Sequence, residues 1–200
     1  MAKYSGVTVA QHIAELVPGP ESWRNRVRGL AAGYGFNISR VPGDFAQARA
    51  GWERARQLWD AGSDPYDVLD PGRLLDLEAS LLRDERRLQE SLDRLNEALA
   101  VGRSPGRTRV TKGCTLVMMG GYRQAMSVLL EAEKYIDRET EPRLWYQQRF
   151  NLSVTLTHLG QYAKAEDLME QVRALAHDLG DEIFLIRVTW LAGRVAARLG

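Results

Sequence analysis

The chain has 200 residues, 44% hydrophobic and 26% charged, and 27 Lys and Arg against 26 Asp and Glu leave a net charge of +1. That balance excludes a disordered chain and gives no global attraction to nucleic acid or anionic lipid. A single cysteine, Cys114, excludes an internal disulfide, and no stretch approaches the ~20 apolar residues needed to cross a bilayer.

The opening residues, MAKYSGVTVAQHIAELVPGP, lack the apolar core of a signal peptide, so a cytoplasmic location and no membrane partner are expected. Val7–Val17 reads as a short amphipathic helix with Val9, Ile13 and Leu16 on one side, broken by Pro18-Gly19-Pro20. Glu21–Arg40 resumes a helical pattern, and Val41–Phe45 turns the chain into a second helix carrying Ala48, Trp52 and Ala55. Asp70-Pro71 has the form of a helix start, with Asp as cap and Pro at the first helical position. Leu74–Leu82 then pairs with Leu88–Val101, and Gly102–Gly106 is read as a loop. Arg107–Met119 pairs with Arg123–Ile136 around Gly120-Gly121-Tyr122. The last complete pair brackets Leu159-Gly160-Gln161-Tyr162, and Glu182–Leu199 forms a final helix.

One motif recurs at the elbows: glycine, an aromatic two residues later, and an alanine three further on. It is clearest at Gly43/Phe45/Ala48, Gly120/Tyr122/Ala125 and Gly160/Tyr162/Ala165. A degenerate copy places Arg86, Leu88 and Ser91 in the same three roles. Elbows at Gly43, Arg86, Gly120, Gly160 and Gly200 are 43, 34, 40 and 40 residues apart, the period of a helical solenoid. No strand-like alternation competes with it.

The glycine-aromatic-alanine elbow, followed by bulky and small residues in phase, resembles the tetratricopeptide repeat (TPR). The likeness covers about Glu21 to Gly200 and is strongest over Gly43–Ala55, Gly120–Ala132 and Gly160–Val172. It implies an all-α solenoid of antiparallel helix pairs wound as a right-handed superhelix. The pairs fall at about 21–60, 71–101, 106–137 and 142–179, after an amino-terminal segment 1–20 and before an unpaired helix 182–199. LLDLEASLLRDERRLQESLDRLNEAL and RVTWLAGRVAARLG further resemble segments of large bacterial multi-repeat regulatory proteins.

The last helix is apolar around much of its circumference, with Ile183, Phe184, Ile186, Val188, Trp190, Leu191 and Val195. A helix of that kind requires burial. Another chain or a further segment is therefore expected to cover it, with self-association through Leu191 and Val195 as one form.

No catalytic constellation stands out, and no enzyme activity, cofactor or metal is expected. His12, His158 and His177 lack metal-ligand spacing, and one cysteine gives no C-x-x-C. Gly102–Thr108 lacks the G-K-(S/T) of a phosphate loop, and Gly29, Gly33 and Gly35 follow no strand, so they are expected to let helices approach closely.

In TPR arrays the first helix of each pair lines the concave surface where partners bind. By register that assigns a groove to Asn37, Arg40, Arg73, Arg83, Arg107, Asn151, His158, Arg187, Trp190 and Arg194. The set is basic, which suits a protein or peptide partner bearing acidic groups. The Lys and Asn clamp of chaperone-binding TPR domains is missing at every corresponding pair, as at Gly33/Asn37 and Phe150/Val154. The expected function is a non-enzymatic scaffold or sensor segment. Nucleic-acid binding by a helical repeat is the alternative, motivated by Arg24, Arg26, Arg28, Arg103, Arg107, Arg109 and Lys112 and opposed by the near-zero net charge.

Overall fold

The computed structural model describes residues 12–199. Residues 12–16 are helical, while the rest of the helix expected over Val7–Val17, and the elbow position Gly200, lie outside the described residues. The helices that follow are α1 (Glu21–Arg40), α2 (Phe45–Asp60), α3 (Gly72–Asp84), α4 (Leu88–Val101), α5 (Pro105–Met118), α6 (Tyr122–Glu133), α7 (Pro142–His158), α8 (Tyr162–Asp178) and α9 (Glu182–Leu199). There is no strand among the described residues. The fold is an all-α array of antiparallel helix pairs, α1/α2, α3/α4, α5/α6 and α7/α8, with α9 packed on α8 and α7. It divides between Arg103 and Ser104 into two compact units.

The elbows are a backbone requirement. Gly43, Gly120 and Gly160 have φ of +90°, +79° and +73°, and a Cβ added at any of them would meet nothing within 4 Å. Glycine is there for its access to the left-handed region, not for space. Arg86 adopts the same conformation, φ 66°, so the degenerate elbow keeps the geometry with a residue poorly suited to it. The alanine place behaves uniformly: Ala48, Ser91, Ala125 and Ala165 are all fully buried. Ser91 compensates for its hydroxyl by donating to the Ala79 carbonyl at 2.8 Å.

In the first unit, Phe36, Ala48, Ala55, Leu74, Leu77 and Leu81 form the core, with Ala32, Trp52 and Trp59 packed against it. Close approach of α1 and α2 depends on Gly29, where a Cβ would fall 2.7 Å from the Trp59 backbone nitrogen. The residues added between α2 and α3 form an ordered loop organised by Asp64, whose carboxylate accepts from the Tyr66 and Leu69 amides. Pro71, not Asp70, is the cap residue and α3 starts at Gly72, one residue later than the sequence predicts. Asp70 still accepts from the Gly72 amide, and also from the Arg103 amide, which ties the loop to the end of α4. The loop at Gly102 is shorter than expected. The chain re-enters a helix at Pro105, since proline at the first helical position needs no amide partner and already has helical φ.

In the second unit, Leu129, Leu152, Leu156, Ala165, Met169, Leu191 and Val195 form one cluster. Tyr146, Val172, Leu175, Ala176, Phe184 and Val188 form a second. Leu191 and Val195 are thus core residues, 0% and 1% exposed, and not the contact surface the sequence suggests. The exposed apolar side chains of α9 are Ile183, Ile186 and Trp190, at 50%, 68% and 59%. The sequence alone does not separate these two sets, because apolar residues occupy both sides of the helix.

Candidate peptide-binding face

Each residue assigned to the groove lies on the first helix of a pair or on the unpaired α9, but their environments differ. In the first unit the arginines are already engaged. Arg40 pairs with Asp84 and donates to Asn37 Oδ1, and burial lowers its pKa against the opposing pull of Asp84. Arg83 contacts the same Asp84 at 2.9 Å. Arg73 pairs with Asp76 on its own helix, donates to the Tyr34 hydroxyl at 3.1 Å, and lies over the Tyr34 ring. Asp76 is 3% exposed, so this ion pair is part of the packing between α1 and α3. An incoming anion would have to displace these carboxylates.

The second unit presents a different surface. Arg107 at the start of α5 pairs with Glu141 at 3.0 Å. Asn151 is half-buried on α7 and donates to the Gln147 carbonyl at 2.7 Å. His158, exposed at the end of α7, stacks on Tyr122 with ring centroids 4.4 Å apart and planes 4° from parallel. Burial lowers the His158 pKa, and the positive charge of Arg194 lowers it further, both favouring the uncharged ring. On α9, Arg187, Trp190 and Arg194 are exposed, with the Arg194 guanidinium 4.8 Å from the indole centroid. Neither Arg187 nor Arg194 has a carboxylate partner among the described residues. The basic character expected of the whole groove is therefore concentrated on α9.

The position of α9 is fixed by buried contacts. Tyr146, 1% exposed, stacks on Phe184 at 3.9 Å and donates its hydroxyl to the Phe184 carbonyl at 3.0 Å. Burial raises the phenol pKa to about 12. Asp181 accepts from the Phe184 amide at the helix start and pairs with Arg143 at 2.8 Å. Phe184, Val188, Leu191 and Val195 then bury the opposite side of the helix. Trp190, assigned to the groove by register, is the exposed tryptophan; Trp52, Trp59 and Trp145 pack against cores, and Trp23 meets Tyr66 edge-on.

The arginines that motivate a nucleic-acid reading are largely occupied. Arg24 pairs with Glu21, Arg28 with Glu15 and Glu21, and Arg103 with Asp67. Arg26 donates to the Gly62 carbonyl and stacks over Trp59, and Arg109 lies over Tyr135. Among the described residues, no group of three His, Cys, Asp or Glu side chains could hold a metal ion. None of their helices is long and apolar enough to cross a membrane.

No family model matches the chain, and no curated protein matches it. Among solved structures it is similar to a Rap protein complexed with competence and sporulation factor. That match has a TM-score of 0.65 at 12% identity, covering 96% of this chain and 58% of that one. It is also similar to MamA AMB-1, with a TM-score of 0.50 at 17% identity over 84% of this chain and 99% of that one. Likeness at such identities bears on the fold, which is a TPR-like helical repeat.

Proposed function

We propose that this chain is a non-enzymatic scaffold or sensor segment of a bacterial cytoplasmic regulatory protein, binding a peptide or protein across the exposed side of α7 and α9. The observation that carries the proposal is the surface of α7 and α9. Asn151, His158, Arg187, Trp190 and Arg194 lie on exposed or half-buried positions of two helices whose other sides are core. A large exposed aromatic among fixed polar groups is the composition of a recognition surface. The similar Rap structure holds competence and sporulation factor, which agrees with a ligand-binding use of the fold.

The test is selection of binders from a random displayed peptide library, followed by mapping of the bound peptides through amide shift changes in the labelled chain. Shifts on α7 and α9 support the proposal. Binders that perturb only α6 and α8, or a failure to select any, overturn it. Self-association through α9 belongs to the same proposal, moved from Leu191 and Val195 to the exposed Ile183 and Ile186. Light scattering over a concentration series, with Ile186→Glu as the comparison, decides it.

A further inference from the structure

We infer that α9 carries a subsite for an acidic peptide, in which Arg187 and Arg194 each take one carboxylate and Trp190 takes an apolar residue lying between them. The inference rests on the peptide-binding proposal and adds to it the chemistry of the ligand and the helix that reads it.

Charge complementarity is the first support. Arg40, Arg73, Arg83 and Arg107 already hold carboxylates of their own chain. A ligand reaching any of those four must break an existing ion pair. Arg187 and Arg194 have no such partner among the described residues, and both are exposed. A carboxylate arriving there gains charge-assisted hydrogen bonds, bidentate where the guanidinium fork allows, and displaces only water.

Spacing is the second. Seven residues along an α-helix make two turns, so the two Cα atoms stand about 10 Å apart on one side. Trp190 lies between them, three residues after Arg187 and four before Arg194, within the same stripe. A peptide in the polyproline II conformation repeats its side-chain direction every third residue at ~3.1 Å per residue. Acidic residues three apart then project the same way about 9 Å apart, a match within the reach of an arginine side chain. The two residues between them project about 120° to either side of that line, so one of them lies along the edge of the indole, which is 59% exposed and has the Arg194 guanidinium over its ring.

Preorganisation is the third. The buried Tyr146–Phe184 contact and the Arg143–Asp181 pair hold the first half of α9, and Val188, Leu191 and Val195 hold the rest. The subsite stands on a fixed helix, so binding orders few protein groups beyond the two arginine side chains.

The experiment measures fluorescence anisotropy of a labelled, terminally blocked octapeptide, Gly-Ser-Asp-Leu-Pro-Asp-Ser-Gly, with the 200-residue chain at low ionic strength. Replacing both aspartates by asparagine weakens binding at least ~10-fold. Arg187→Gln and Arg194→Gln each weaken it roughly 5- to 10-fold, as expected for loss of a charge-assisted hydrogen bond. Arg173→Gln, on α8 and outside the assigned groove, leaves it within about 2-fold. All three side chains, Arg173, Arg187 and Arg194, are exposed, and circular dichroism checks that each variant is folded. Failure of the acidic probe to bind, equal binding of the asparagine peptide, or an Arg173→Gln effect as large as that of Arg187→Gln would each overturn the subsite. If library-selected peptides map to α7 and α9 but ignore both arginine variants, the subsite falls and the peptide-binding proposal stands. If nothing binds that face, both fall.

Discussion

Arg86→Gly should stabilise the first unit, an unusual direction for a substitution that deletes a whole side chain. Arg86 holds φ 66° at the α3/α4 elbow, where the corresponding elbows have glycine at +90°, +79° and +73°. A non-glycine residue in the left-handed region costs roughly 1–2 kcal/mol from the contact of its Cβ with the carbonyl oxygen. Glycine removes that strain, but its freer unfolded chain returns roughly 0.5–1 kcal/mol. The midpoints of these ranges leave a net gain of roughly 0.8 kcal/mol. Little is lost with the side chain, which is exposed and has no ion pair among the described residues. Urea unfolding followed by far-ultraviolet circular dichroism gives the free energy, and Arg86→Ala is the control that deletes the side chain while keeping the Cβ. Arg86→Gly should exceed wild type while Arg86→Ala stays within about 0.5 kcal/mol of it. If the two variants are equally stable, or the glycine variant is weaker, the account of the elbow as a backbone requirement is wrong.

Three further outcomes follow from the packing. Gly113→Ala would place a Cβ 2.6 Å from Cδ2 and Cγ of the fully buried Leu129, and should cost ~1–3 kcal/mol by overpacking α5 against α6; urea midpoints measure it. Tyr146→Phe keeps the stack on Phe184 but removes the donor to its buried carbonyl, for a loss of ~0.5–1.5 kcal/mol, and an unchanged midpoint would mean that carbonyl finds another partner. Glu78 is 7% exposed, and burial raises its pKa against the pull of Arg94, Arg56 and Arg49. The folded state therefore binds the proton more tightly than the unfolded state, and this group's contribution to stability declines as pH rises from the ordinary carboxylate range through the folded pKa. Glu78→Gln should raise the melting temperature at pH 7, with the advantage shrinking as the pH is lowered towards 4, and a pH-independent difference would refute the assignment.

The repeat is legible in the sequence because it rests on local chemistry. Helical periodicity, a residue able to turn left-handed at the elbow, and a small residue five positions later all fall within a dozen residues of one another. Even the degenerate elbow aligns, since Leu88 and Ser91 keep phase around Arg86, and the structure gives Arg86 the glycine conformation. The loop at Gly102 reads too long in the sequence because Ser104-Pro105-Gly106 contains turn-forming residues, yet the same Ser-Pro pair can open a helix. Composition does not decide between those uses.

The site is harder to read for a physical reason. A helix register gives the side of the helix a residue occupies, but the electrostatic state of an arginine depends on which acid reaches it. Arg40 meets Asp84 44 residues away and Arg107 meets Glu141 34 residues away. Those intervals are close to one repeat, so an acid displaced from an arginine by the repeat length is a signal that sequence reading can use. Applied to Arg40 and Arg107, that signal withdraws both from the free basic set. Arg73 and Arg83 need only local inspection, since Asp76 and Asp84 stand three residues and one residue away on the same helix. What remains after subtraction is a short basic and aromatic stripe on α9, because an arginine that holds a carboxylate has already spent the interaction a ligand would need. Counting arginines along a groove thus overstates its capacity for anions, and counting those without an acid within reach gives a smaller set that mutation can test one guanidinium at a time.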